Sequence, residues 1–183
     1  MKVIYQSLVK ILSGYQGGRS VEVLFSWLRI LLTNRLIRVS SSGVSPLMNY
    51  SYIYGHRGSF YGMFKEIFID QNYLIEYTDK NLMIIDGGSN IGMASAYFRM
   101  MAPRAKILAF EPNQNTYEIL SKNIENNNLN IEAINVGLGS RDEMTTFYTD
   151  EADLSSQSAS LSKHLESKGR PLKEMNVKIE KLS

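Results

Sequence analysis

In the stretch IIDGGSNIG, residues 84–92, an acid (Asp86) is followed by Gly88, Asn90 and Gly92 at alternate positions, with Ser89 between Gly88 and Asn90. An apolar run precedes the acid and MASAYFRMMA follows the last glycine. A strand that ends in an acid and turns sharply into a helix needs residues without a Cβ where the backbone doubles back or a ligand approaches. Gly87, Gly88 and Gly92 meet that need. The helix then offers unpaired N–H groups and the positive end of its dipole to an anionic or polar group. Two familiar phosphate cradles do not fit. The dinucleotide pattern GxGxxG fails at Ser89, and a P-loop fails because Met93 and Ala94, not lysine and a hydroxyl residue, follow Gly92. The frame Asp86-x-Gly88-x-Asn90-x-Gly92 suits a ligand that carries both an ammonium and a carboxylate, the acid attracting the cation and backbone N–H groups meeting the anion. A second acid, Glu111, ends the run KILAFEP, 19 residues after Gly92 (111 − 92). An acid so placed can accept both hydroxyls of a ribose. Pro112 then terminates its strand.

The elements that would hold these residues read as strand (82–86), helix (93–102), strand (106–112), helix (113–128) and strand (131–140). The first strand is continuously apolar, as expected of a strand buried on both faces of a parallel sheet. Right-handed crossovers set such strands side by side, with ligands at their carboxyl ends. NVKIEKL alternates like a further strand, and the serine-rich 154–162 reads as a loop.

With 183 residues, 44% of them hydrophobic, the chain can bury one core beside a small appendage. A net charge of +2 gives no case for nucleic acid. There is no cysteine, and His56 and His164 are isolated, so no metal site is expected and a cytoplasmic location is favoured. The start MKVIYQSLVKILSG lacks the long apolar core and small-residue site of a secretory signal. VEVLFSWLRILL (21–32) is interrupted by Glu22 and Arg29 and reads as an amphipathic helix, too short to span a bilayer. Its basic surroundings allow peripheral contact with a membrane surface. SSSGVSP (40–46) reads as a linker, and residues 51–70 as short strands joined by tight turns. Tyr50, Tyr52, Tyr54 and Tyr61 are read chiefly as core or edge packing, with a ligand cleft as the alternative. The expected division is a helical extension (1–45), a short-strand segment (46–80) and a ligand-binding domain (81–183).

IIDGGSNIG, followed by ILAFEPNQNTYEILSKNIENNNL and INVGLGS, resembles the FkbM family of S-adenosylmethionine-dependent methyltransferases. The resemblance covers residues 64–183, is specific within 84–140, and includes FKEIFIDQNY as a segment similar to the one before the family's first sheet strand. It implies an α/β fold with a Rossmann-like class I methyltransferase sheet, incomplete here because a helix and a fourth strand follow KIEKLS in the family. It implies S-adenosylmethionine as cofactor, its methionine part surrounded by Asp86, Gly88, Asn90 and Gly92 with Ser89 in the same turn. Glu111 would hold the ribose hydroxyls, Pro112 and Asn113 would border the adenine, and Val136 and Gly137 would complete that pocket. The implied reaction is metal-free methyl transfer to a hydroxyl of a sugar, glycan or secondary metabolite. No base is assigned; His164 and Asp153 are the polar residues that could approach an acceptor. The alternatives are a non-catalytic cofactor-binding fragment of a longer methyltransferase and an NAD-dependent oxidoreductase.

Overall fold

The computed structural model describes residues 2–15, 19–36, 42–74, 81–150 and 172–182. Helices α1 (Lys2–Gly14) and α2 (Arg19–Leu36) lead into a hairpin of β1 (Gly43–Leu47) and β2 (Tyr50–Tyr54). Next come α3 (Arg57–Phe64), prolonged by a π-helical turn (Lys65–Ile69), and then β3 (Met83–Gly87), α4 (Met93–Met101), β4 (Lys106–Phe110), α5 (Gln114–Asn126) and β5 (Glu132–Ile134). The chain continues through β6 (Gly137–Gly139), β7 (Glu143–Asp150) and β8 (Leu172–Lys181).

The βαβαβ order gives the Rossmann-like unit of an α/β fold: β3, β4 and β5 pair in parallel, with Asp86 opposite Ala109 and Gly87 opposite Phe110. A second sheet runs β6-β8-β7, parallel between β6 and β8 and antiparallel between β8 and β7. Two right-handed crossovers in one direction bring α4 and α5 to the same face of the first sheet. Ile107 and Ala109 on that face join the core, whereas Met83 and Ile85 on the other are 56 and 40% exposed. The expected burial of both faces of β3 is therefore corrected to burial of one.

Three other elements differ from the sequence reading. Residues 43–46, read as part of the linker 40–46, instead belong to β1, because Leu47 and Ser45 bury against the core while the alternate residues face outward. From Arg57 onward the short-strand reading gives way to a helix, since Phe60, Met63, Phe64, Ile67 and Phe68 recur on one helical face and are all buried. His56 caps it, Nδ1 accepting from the Ser59 N–H at 3.4 Å. The strand expected over 131–140 divides into β5 and β6 in different sheets. Asn135 turns its Nδ2 onto the carbonyls of Glu111 and Pro112, and the Val136 N–H onto Ile134 O, so the ladder breaks there.

The N-terminal helices share the core with the sheet. Ile11, Tyr15, Val23, Trp27 and Ile30 pack in one cluster with Phe64, Phe68, Tyr97 and Ile107. The Tyr15 hydroxyl donates to Phe68 O at 2.7 Å, Lys10 pairs with Asp70 at 2.7 Å, and Lys65 pairs with the same carboxylate. These bonds fix the π-helical turn, one wall of the cleft described next. Tyr52 and Tyr54 are buried and Tyr50 and Tyr61 pack against the core, as the packing reading expects.

Candidate active site

A cleft of about 680 Å³ opens at the carboxyl ends of β3 and β4. Its floor includes Gly87–Asn90, the first part of the turn that runs from Gly87 to Gly92. Gly88 (φ 76°), Asn90 (φ 51°) and Gly92 (φ 87°) all take the left-handed conformation, which explains two of the glycines and the asparagine. At Gly92 a Cβ would lie 2.6 Å from Leu120 Cδ1, so glycine there also admits α5. The Tyr52 hydroxyl donates to Gly92 O at 2.9 Å, and Asn123, fully buried, donates to Ile91 O at 2.9 Å and to Ile53 O at 3.0 Å. Ser89 stitches the turn to both strands: its hydroxyl donates to Asp86 O at 2.7 Å and Phe110 O at 3.2 Å, and its N–H to Phe110 O. Its side chain is thus spent on the backbone.

Two carboxylates are held in fixed orientations. Asp86 accepts from the Ser95 hydroxyl at 2.5 Å and from the Ser95 N–H, so it caps the first turn of α4; burial raises its carboxyl above the usual range and Ser95 acts against that rise. Glu111 is 6% exposed. Its Oε2 accepts from the Asn90 N–H and its Oε1 from the Asn113 N–H, each at 2.9 Å. Burial pushes the Glu111 carboxyl up to about 7, against the opposing pull of these two backbone donors. A carboxylate has about four acceptor positions. The two backbone bonds leave Glu111 able to accept more.

Of the eight residues expected at the site, Asp86, Gly88, Ser89, Asn90, Glu111, Pro112 and Asn113 line the cleft, and Gly92, at the end of the same turn, does not. Asn113 lends its Oδ1 to the Asn115 and Thr116 N–H groups at 3.0 and 3.3 Å, capping α5. Val136 and Gly137 are not among the lining residues; Gly137 packs on Ile179 and Pro112. His164 and Asp153 lie outside the described residues. Sequence reasoning missed Met63, Glu66 and Ile67, whose i, i+3, i+4 spacing was a legible helical face, and Tyr73, which meets Phe98 edge-on at 5.8 Å. It missed Ser95, nine residues along the chain from its partner Asp86, and Phe147, which reaches the cleft from β7 with no local signal. The lining holds three acids, Glu66, Asp86 and Glu111, and no Lys, Arg or His among the described residues.

No group of metal-ligating side chains occurs among the described residues, and no helix among them is long and apolar enough to cross a membrane. The methyltransferase sdnD of Sordaria araneosa is 42% identical over 80 residues, covering 43% of this chain and 31% of that protein. Methyltransferase 1 of Beauveria bassiana (strain ARSEF 2860) is 39% identical over 87 residues, covering 46% of this chain and 35% of its own. The chain spans about a third of the length of these curated relatives. Among solved structures, the SAM-dependent methyltransferase from Agrobacterium tumefaciens aligns over 55% of this chain and 34% of its own, at 15% identity and a TM-score of 0.41. The model of the methyltransferase FkbM domain matches residues 86–183, more than half of the chain, and the chain belongs to that family.

Proposed function

We propose that the cleft binds S-adenosylmethionine and that the domain directs methyl transfer to a hydroxyl oxygen of a sugar, glycan or secondary metabolite. One arrangement carries this reading: Glu111, buried at the tip of β4 and aimed by the N–H groups of Asn90 and Asn113, retains acceptor positions for the two hydroxyls of a ribose. The donor set fits the cofactor's charge. A sulfonium and an ammonium are favoured beside Asp86, Glu66 and Glu111, whereas the pyrophosphate of a dinucleotide would face three carboxylates with no cation among the described lining residues. Gly88 borders open space, so the backbone there permits close approach of a ligand.

When bound, S-adenosylmethionine supplies an electrophilic methyl group on a good leaving group. The chain's residues position it. Glu111 fixes the ribose end, and Asp86, oriented by Ser95, offers its charge to the ammonium. Ile85, Met93, Phe98 and Phe147 give the cleft apolar walls that exclude water and strengthen those attractions. Alignment of donor and acceptor then provides most of the rate, with no metal required of the protein. The acceptor class rests on family membership, and cytoplasmic residence on the lack of cysteine.

Isothermal titration of the chain with S-adenosylhomocysteine, with NAD in parallel, tests the cofactor. Binding of the former alone, lost in Glu111→Ala, supports the reading; binding of NAD alone, or a Glu111→Ala chain that binds S-adenosylhomocysteine unchanged, overturns it.

A further inference from the structure

Helix α2 is apolar on two faces. Val23, Trp27 and Ile30 are buried against the core, while Val21, Phe25, Leu28 and Leu32 stand 51, 61, 41 and 57% exposed. The spacing i, i+4, i+7, i+11 makes the exposed four a single stripe, about 16 Å long at the α-helical rise. Helix α1, which packs against α2, also exposes apolar side chains, Val9 and Leu12, at 46 and 60%. The fold does not require this stripe, because the opposite face of α2 already anchors the helix.

Charge is segregated along the chain in the same way. Residues 1–40 carry six basic residues, Lys2, Lys10, Arg19, Arg29, Arg35 and Arg38, against Glu22, a local +5 of which Lys10 is already paired with Asp70; the whole chain totals +2, which leaves −3 on residues 41–183. A surface that is apolar along one helix face and set in a positive segment matches an anionic lipid surface, where both terms contribute at once. A protein partner would have to supply acidic groups around an apolar groove, whereas an anionic bilayer supplies both over its whole area. We propose that α2 seats the chain on an anionic membrane, lying in the interfacial plane with Phe25, Leu28 and Leu32 entering the headgroup region. The 18-residue helix is not apolar enough to cross the bilayer.

Vesicle flotation tests this. The full chain is mixed with vesicles of phosphatidylcholine alone, or with about 30% phosphatidylglycerol, at low and high salt. Co-flotation with the anionic vesicles only, weakened by salt, is expected. Phe25→Ser/Leu32→Ser should lower the bound fraction about tenfold or more while circular dichroism and the melting temperature stay unchanged. Should that variant fold poorly, the salt and lipid dependence of the native chain decides alone. Failure of the native chain to float with anionic vesicles, or equal flotation with neutral ones, overturns the proposal. So does a native dimer in sedimentation velocity that the double substitution converts to a monomer with no vesicle binding, which would make the stripe an interface between copies. None of these outcomes depends on what the cleft binds.

Discussion

The backbone N–H of Asn90 donates to Oε2 of Glu111 at 2.9 Å, tying the glycine turn after β3 to the tip of β4. Glu111→Ala removes that acceptor and the one used by Asn113, leaving two backbone donors at a buried position. The expected loss of stability is about 1–3 kcal/mol. Under the proposed function S-adenosylhomocysteine affinity falls about 10- to 100-fold, by the worth of charge-assisted hydrogen bonds. Glu111→Gln keeps one carbonyl acceptor and should lose less of both. Thermal denaturation and calorimetric titration of the two variants check the ordering.

The same carboxyl predicts a pH dependence with two opposite signs. Burial raises Glu111 from 4.5 to about 7, so the folded state holds this proton more tightly than the unfolded state does. Its contribution to stability is fully present below the unfolded value and is lost as the pH rises through about 7. Under the proposed function ligand affinity moves the other way, because an ionised carboxylate would accept the ribose hydroxyls best; S-adenosylhomocysteine should bind more tightly at about pH 8 than at about pH 6. Calorimetry across that range should show the trend in the native chain and a flatter profile in Glu111→Gln.

Gly92 and Gly88 share a left-handed backbone but differ in their surroundings. Gly92→Ala puts a Cβ 2.6 Å from Leu120 Cδ1, in the fully buried packing between the turn and α5. Strain and overpacking together should cost about 2–4 kcal/mol. At Gly88 nothing lies within 4 Å of a built Cβ. Gly88→Ala should cost only the conformational strain, about 1–2 kcal/mol, with its larger effect on ligand affinity. Denaturant titration beside ligand titration separates the two cases.

Asn123 links three elements: Oδ1 accepts from the Ile53 N–H at 2.7 Å, and Nδ2 donates to Ile53 O and Ile91 O. Asn123→Ala strands buried backbone groups on β2 and on the glycine turn, so a loss of about 3 kcal/mol is expected. Equilibrium unfolding in urea measures it.

Where the sequence was legible, local physics dominated. The strand, glycine turn and helix around Asp86, and the acid ending β4, follow from apolar runs and backbone requirements confined to a few residues. Asn113 as the cap of α5 obeys the same local logic. Longer-range facts were hidden. Residues 43–47 carry serine, glycine and proline and still form β1, because pairing with Tyr50–Tyr54 and burial of Leu47 override composition. The helix from Arg57 was obscured by aromatic residues and glycines, although its apolar spacing was helical throughout. Glu66 and Tyr73 reach the cleft from the π-helical turn and the residues just after it, and Phe147 from β7, and no spacing in one segment reports their meeting in space with Asp86 and Glu111.

In the proposed function Glu111 receives the ribose of S-adenosylmethionine. A crystal structure of the chain with S-adenosylhomocysteine tests it most directly. Both ribose hydroxyls should lie within hydrogen-bonding distance of the Glu111 carboxylate, with the Asn90 and Asn113 N–H bonds intact. A nucleoside bound elsewhere, or a ribose in the cleft that does not touch Glu111, would contradict it.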